Sequence, residues 1–407
     1  MQRKSPLVPF IAIVLFFLLL NNYVLNGLQT LFITNLKPIF WSAIALLLLA
    51  FAYAVLRVSK NGMDLFFKWV SHVFLILFVS EILFVLVLLL GDIYRPFAGF
   101  INYLNNNQFL IPARNQYWLS FGLTLGLITV LLFLYGILKG KYAYRVIKHQ
   151  LFFTDLPQAF DGFTITQISD VHAGSFANPK AVQKGIDLIN AQQSDLFVFT
   201  GDLVNNKAEE IEPWIGHFSQ IKAPFGQFSV LGNHDYGDYV KWPSPEAKVQ
   251  NLDQLKNHHQ KLGFRLLLDE HIALQKDGEK LVLAGIENWG IGFGERGDLE
   301  KALQNVGDEE FKILLSHDPS HWEAQVKNYP SNIHLTLAGH THGMQFGIEA
   351  FGIKWSPVKY RYKHWAGIKK ENGSVLNINR GFGFLGYSGR IGIWPEITVI
   401  ELKKELN

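Results

Sequence analysis

Long uncharged apolar runs dominate the chain up to about residue 140, and beyond that point short apolar strings alternate with Gly, Asp, Asn and Lys. A helix needs roughly 20 mostly apolar residues to cross a bilayer. Four stretches approach that length: residues 7–28, 39–56, 69–90 and 117–138. Arg3 and Lys4 before the first give it the look of a signal peptide, but no small-residue cleavage site follows Leu20, so it is read as a retained helix. Residues 1–148 are thus expected to form a transmembrane region of four helices, and residues 149–407 a separate α/β domain.

Charges at the ends of the runs give an orientation. Arg3, Lys4, Arg57, Lys60, Lys68, Lys139, Lys141, Arg145 and Lys148 share one side, and Lys37, Arg95 and Arg114 the other. The richer side is the cytoplasmic one by the positive-inside rule, so the α/β domain is expected in the cytoplasm of an inner or plasma membrane protein. His72 and Glu81 fall within the third run, where an ionisable group marks a transport path or simply faces the bundle. Residues 92–116 read as an external loop.

From residue 163 the pattern becomes that of an α/β domain. Five short apolar strands (163–168, 196–200, 227–231, 311–315 and 333–337) each run into a polar turn. The turns contain Asp170 and His172; Gly201 and Asp202; Gly232, Asn233, His234 and Asp235; His317 and Asp318; Gly339, His340 and His342. In α/β sheets the carboxyl edge is where ligands bind, so the strands are expected to aim these tips at one sheet edge. Residues two apart point alike in extended chain, which would put Asp170 beside His172 and His340 beside His342.

Composition narrows the chemistry. A net charge of +3 with no basic block in the second half argues against a nucleic-acid partner, and nothing in the sequence points to a protein partner. There is no Cys, so any metal must be held by nitrogen and oxygen. Asp170, His172, Asp202, Asn233, His317, His340 and His342 supply more such donors than one four-coordinate ion needs. Each fragment alone is an ordinary turn or helix cap, but together, each after its own strand, they predict a centre for two ions.

These blocks closely resemble the calcineurin-like metallophosphoesterase family, of the membrane-anchored bacterial type, over about residues 163–402. The resemblance implies a sandwich of two β-sheets flanked by helices and a two-metal hydrolase. It implies one metal held by Asp170, His172, Asp202 and His342, and a second by Asp202, Asn233, His317 and His340, with Asp202 as the bridge. His234 is left off the metals as the catalytic group near the phosphate or leaving oxygen, with Asp235 available to orient its ring. Many relatives carry a carboxylate where this chain has Asn205, a departure that touches substrate contacts more than metals. The donor set suits two divalent ions of Mn, Fe, Zn or Co without choosing among them.

Lys354, Lys359, Arg361, Lys363 and Lys369 interleave with Trp355, Tyr360, Tyr362 and Trp365 after the last block, a pattern that fits either anionic headgroups or a packed, solvated loop. The Gly-rich segment 380–394 reads as a close-packed loop near the site or an irregular sheet edge. His217, His258, His259, His271, His321, His334 and His364 are read as structural, and Asp195 and Asp269 as surface residues. The expected substrate is a phosphorylated lipid or lipid-linked nucleotide, similar to the UDP-diacylglucosamine cleaved by some family members. The alternatives are a tethered phosphodiesterase or phosphomonoesterase for soluble substrates, and a membrane sensor or transporter that binds a phosphorylated ligand without turnover.

Overall fold

The computed structural model describes residues 7–32, 34–61, 64–350 and 352–405. Arg3 and Lys4, used above in the charge argument, lie outside them. The chain divides into two compact units, Met1–Tyr135 and Gly136–Asn407.

The first unit is built on α1 (Leu7–Leu31), α2 (Lys37–Asn61), α3 (Leu65–Asn106) and α4 (Gln116–Leu138). All four are long and apolar enough to cross a membrane, and side chains such as Leu19, Leu46, Leu56 and Leu131 are at least 64% exposed. An apolar surface of that extent needs lipid around it, and the chain is an integral membrane protein. Leu20, Val24, Phe84, Val85, Leu88 and Leu119 pack at its centre. Gly122 and Gly126, four residues apart, lie against Phe84 and Ser80, the small-residue spacing that lets membrane helices approach. Glu81 accepts a hydrogen bond from buried Asn21 (3.2 Å), which places it in the bundle-facing class.

Helix α3 departs from expectation. It does not stop near residue 90 but continues through Pro96 to Asn106, and Asn107 closes it in left-handed conformation with its N–H on the Tyr103 carbonyl. The expected 92–116 loop shrinks to 107–115. Asp92, which the sequence suggests as a loop residue, instead accepts hydrogen bonds from Arg95 (2.8 Å), Arg114 (3.0 Å) and the Tyr23 hydroxyl, which tie the connection back onto the helices.

In the second unit the strands begin with β1 (Arg145–Phe153), β2 (Thr164–Ile168), β3 (Leu196–Phe199), β4 (Gln227–Ser229), β5 (Arg265–Leu266), β6 (Glu270–Lys276) and β7 (Glu279–Gly285). After the hairpin of β8 (Trp289–Gly290) and β9 (Gly294–Glu295) come β10 (Lys312–Leu315) and β11 (Leu335–Ala338). A second hairpin, β12 (Ile348–Ala350) and β13 (Ile353–Trp355), precedes β14 (Gly367–Glu371), β15 (Ser374–Ile378) and β16 (Glu396–Lys404). Two six-stranded sheets result, ordered β1-β16-β2-β3-β4-β5 and β14-β15-β11-β10-β7-β6. Since β1 pairs in parallel with β16 from Arg145 onward, the expected boundary at 148/149 falls inside a strand.

Why the strands read as unbroken apolar runs is visible in β3. Leu196 and Val198 enter the core between the sheets, while Phe197 and Phe199 enter the layer that Val182, Ile186 and Ile189 of the helix Pro179–Asn190 also fill. Strand β10 behaves alike, with Ile313 and Leu315 facing the central core and Leu314 the opposite outer layer. Both faces are covered, so alternation disappears from the sequence. Asp195 and Asp269, read as surface residues, are clasps: Asp195 accepts from Thr164 N and Oγ1 (both 2.8 Å), and buried Asp269 from the N–H groups of Glu287 and Asp298 (both 3.0 Å).

Candidate metal centre

The candidate donors come from both sheets. Turns after β2, β3 and β4 carry Asp170, His172, Asp202 and Asn233 from the first sheet, and turns after β10 and β11 carry His317, His340 and His342 from the second. One sheet edge was expected; the structure uses two facing edges. The backbone reason also differs from that expected. Asp170, His172, Asp202, His340 and His342 are not extended but left-handed, with φ between 47° and 69°. Such residues are uncommon in this region and cost about 1–3 kcal/mol each. Convergence therefore rests on sharply turned chain rather than on a strand's alternation.

Glycine makes room for it. A Cβ on Gly232 would stand 2.2 Å from Asp202 Oδ1, and one on Gly339 would stand 1.8 Å from Ser169 Oγ and 2.4 Å from Asp170 Oδ2. The 381–383 stretch of the Gly-rich segment is likewise close-packed against the site, since a Cβ on Gly383 would meet the Val171 carbonyl oxygen at 1.8 Å.

Two groups of donors form, each with all its ligand atoms within 4.8 Å of one another: Asp170, His172, Asp202 and His342, and Asp202, His317 and His340. Within the first, His172 Nε2 lies 2.9 Å from His342 Nε2, and His342 Nε2 lies 3.1 Å from Asp170 Oδ1. Within the second, His317 Nε2 is 3.2 Å from Asp202 Oδ2. Asn233 joins this side, with Oδ1 2.9 Å from His340 Nδ1. Asp202 belongs to both groups.

The donor set fits divalent cations by a direct test. Asp170 Oδ1 and His317 Nε2 are buried and, though 3.1 Å and 3.2 Å from His342 Nε2 and Asp202 Oδ2, make no well-directed hydrogen bond, and two imidazole nitrogens face each other across 2.9 Å. Buried polar atoms are rarely left so, and converging lone pairs are what a cation requires. The second atom of several ligands is already engaged. His317 Nδ1 donates to the Thr200 carbonyl (2.7 Å), His340 Nε2 faces Asp318 (3.3 Å), Asp170 Oδ2 accepts from His340 N (2.9 Å), and Asp202 Oδ1 from His234 N (2.9 Å). Such contacts orient metal ligands and fix which nitrogen is left free.

Electrostatics agree. Burial holds His172 well below the usual imidazole value, and burial also lowers His340; both favour the neutral ring that binds metal. His317 differs: burial lowers it, but the Asp202 carboxylate more than offsets this and pushes it up to about 10. A cation arriving there must displace a proton, so binding weakens as pH falls.

His234 is half-buried, with its ring 5.0 Å from that of His172 and 4.5 Å from that of Tyr239. The expectation that Asp235 orients this ring is corrected. Its Nδ1 donates to the backbone carbonyl of Asn205 (2.8 Å). Asp235 turns away and accepts the N–H groups of Asp202, Leu203, Val204 and Gly232 at 2.8–3.2 Å. Burial and the charge of Asp202 push its carboxyl up to about 7, with backbone donors opposing them. Its work is to pin the β3 turn to the β4 turn.

Sequence reasoning missed Asp318 as a partner of His340, together with Tyr362, whose hydroxyl donates to Asp318 (3.0 Å), and Phe293, whose ring lies 4.5 Å from that of His340. Adjacency to His317 was a usable signal for Asp318; Tyr362 stood out only as part of the basic-aromatic segment, with nothing to link it to Asp318, and Phe293 arrives from a distant loop with no signal. Arg390, fully buried, donates to the carbonyls of Gly383 (2.8 Å) and Arg380 (2.9 Å) beside His342. His321 and His334 are structural, bonded to Ser316 Oγ (2.9 Å) and to Lys312 N (3.1 Å).

Comparison with known proteins points the same way. Residues 163–344 match the family model described as "Calcineurin-like phosphoesterase", and residues 5–141 match "Probable Calcineurin-like phosphoesterase, transmembrane domain". The chain is 30% identical over 259 residues to the uncharacterised metallophosphoesterase YkuE of Bacillus subtilis, covering 63% of this chain and 84% of that one. It is 28% identical over 284 residues to an uncharacterised metallophosphoesterase of Aquifex aeolicus, covering 69% and 99%. It is also 27% identical over 286 residues to a "Transmembrane protein with metallophosphoesterase domain" of Danio rerio, covering 68% of this chain and 62% of that one. With its donor clusters, two-sheet sandwich and four apolar helices, the chain belongs to the calcineurin-like metallophosphoesterase family and is a membrane-anchored, metal-dependent hydrolase.

Proposed function

We propose that this enzyme cleaves a phosphoester or pyrophosphate bond of a membrane lipid or lipid-linked nucleotide at the cytoplasmic face of the membrane. The observation that carries the reaction type is the carboxylate of Asp202, common to both donor groups. In this reading Asp170, His172, Asp202 and His342 hold one divalent ion, and Asp202, Asn233, His317 and His340 the other. Such a pair supplies Lewis-acid polarisation of the phosphoryl group and a water ionised near neutral pH.

The chain's own groups do the rest. Asn233 Nδ2 donates to the Tyr239 hydroxyl (2.7 Å), which turns Oδ1 toward His340. A carbonyl only accepts, so His234 Nδ1 carries hydrogen toward Asn205 and Nε2 is the atom left for substrate. When protonated, Nε2 donates to the departing oxygen, and the carbonyl holds the ring for that transfer. Asp235 acts through the backbone rather than on substrate.

The lipid part of the reading rests on the surface beside this centre. Met344, two residues beyond His342, is 58% exposed, and Ile348, Ile353 and Tyr360 are 50%, 54% and 80% exposed. Lys359, Arg361 and Lys363 are exposed among them, whereas Trp365 is buried and Lys369 is paired with Glu323 and Glu371. Half of the basic-aromatic segment is therefore packed, and the other half offers apolar side chains with cations, as an amphiphilic phosphate would require.

Purified full-length enzyme incubated with Mn²⁺ and total membrane lipid is expected to consume a phosphate-bearing lipid, identified by mass spectrometry. Ile348→Ser with Ile353→Ser is expected to raise KM for that lipid while leaving kcat on a small aryl phosphodiester unchanged. Turnover of soluble nucleotides alone would sink the lipid assignment. His234→Ala is expected to retain bound metal and lose roughly 10²–10⁴-fold in kcat, the usual scale of acid catalysis; unchanged kcat would remove it from the mechanism. For orientation, the chain lacks cysteine, so single variants report cleanly. Exposed Asn105→Cys is expected to react with an impermeant maleimide on intact cells and exposed Lys184→Cys only after lysis; the reverse result would place the catalytic unit outside.

A further inference from the structure

The membrane unit holds a feature that the hydrolase chemistry does not use. A cavity of about 630 Å³ lies between α3, the first turn of α4 and the 107–115 connection, lined among others by Leu88, Asp92, Arg95, Arg114, Trp118 and Leu119. Among the described residues Asp92 is its only acid, and two guanidiniums share it. Arg95 reaches Asp92 through Nη1 (2.8 Å) and the Pro112 carbonyl through Nε (2.8 Å); Arg114 reaches Asp92 through Nε (3.0 Å) and Nη2. Among the described residues, Arg95 Nη2 and Arg114 Nη1 have no acceptor.

Two cations against one carboxylate leave one positive charge uncompensated. The side chains are 27% (Arg95) and 15% (Arg114) exposed, so water reaches them only in part. A charge withdrawn from water is costly unless paired. The cluster carries a net charge of +1, which an anion would balance.

What kind of anion follows from the surroundings. Tyr94, Phe97, Phe100 and Leu104 on the distal part of α3, with Phe109 and Leu110 after it, are each at least 53% exposed. Tyr117 and Trp118 begin α4, where aromatic residues mark the edge of the hydrocarbon. Exposed Leu90, Tyr94 and Tyr117 line the same cavity as the guanidiniums. An amphiphile matches both halves, and a small soluble anion matches only one.

We propose that this cavity binds an anionic phospholipid, its headgroup phosphate taken by Arg95 and Arg114 and its acyl chains lying along Leu90, Tyr94 and Tyr117. The lipid completes the charge balance of the α3–α4 connection and fastens it to the membrane surface.

The test uses the full chain in mixed micelles containing phosphatidylglycerol and phosphatidylcholine in equal amount, with retained lipid counted by native mass spectrometry. Unmodified protein is expected to retain phosphatidylglycerol in clear preference. Arg95→Gln, which leaves the Asp92–Arg114 pair in place, is expected to lose that preference, and Lys37→Gln to keep it. Equal retention of the two lipids by the unmodified protein overturns the proposal without reference to any variant's folding. Unchanged preference in Arg95→Gln overturns it too, as does displacement of the lipid by inorganic phosphate, which would identify a free anion as the occupant. Hydrolysis is not read, so this outcome is separate from that of the substrate assignment.

Discussion

Lone pairs on two carboxylates and four imidazoles, withdrawn from water and aimed at one another, repel unless positive charge stands between them. The second unit is organised around that constraint. Five of the donors sit on left-handed backbone, which side chains other than Gly adopt at some cost, held by the sheets on either side and by Asp235, whose carboxylate collects four N–H groups from two turns. Strain of this kind persists only where surrounding structure overdetermines it. The large apolar core between the sheets provides that rigidity, from Ile165 and Val198 on one side to Ile313 and Leu337 on the other.

The outer contacts turn a cluster of acids and imidazoles into a specific set of free atoms. The Thr200 carbonyl accepts the hydrogen bond of His317 Nδ1, Asp318 faces His340 Nε2, and the Asn205 carbonyl accepts the hydrogen bond of His234 Nδ1. Two of these three use a backbone carbonyl. Main-chain atoms carry no residue identity, which is why Asn205 looked like a departure from the family at its side chain while its carbonyl does the positioning.

That division explains what the sequence could reveal. The donors follow five apolar strands, and side-chain chemistry is written directly in residue type, so the residues the structure brings together, Asp170, His172, Asp202, Asn233, His317, His340 and His342, could be picked out. The partition of the strands between two sheets was not, because β3 and β10 are apolar on both faces and carry no mark of which sheet they join. Asp235 was misassigned because its neighbour His234 suggested a pair, whereas its true partners are amides. The end of α3 was misplaced because Asp92, Arg95 and Pro96 read as loop; Asp92 is compensated by Arg95 and Arg114, and helix continues past them. Strand β1 went unread since its pairing partner lies some 250 residues away, at the far end of the chain.

The shared carboxylate of Asp202 is the claim on which the rest turns, and electron paramagnetic resonance of the Mn²⁺-loaded enzyme addresses it most directly. Two ions per chain with an exchange-coupled spectrum are expected for the native chain, and an uncoupled spectrum with fewer than two ions for Asp202→Asn. A spectrum of isolated Mn²⁺ in the native enzyme, or a coupled pair that survives in Asp202→Asn, would contradict the account.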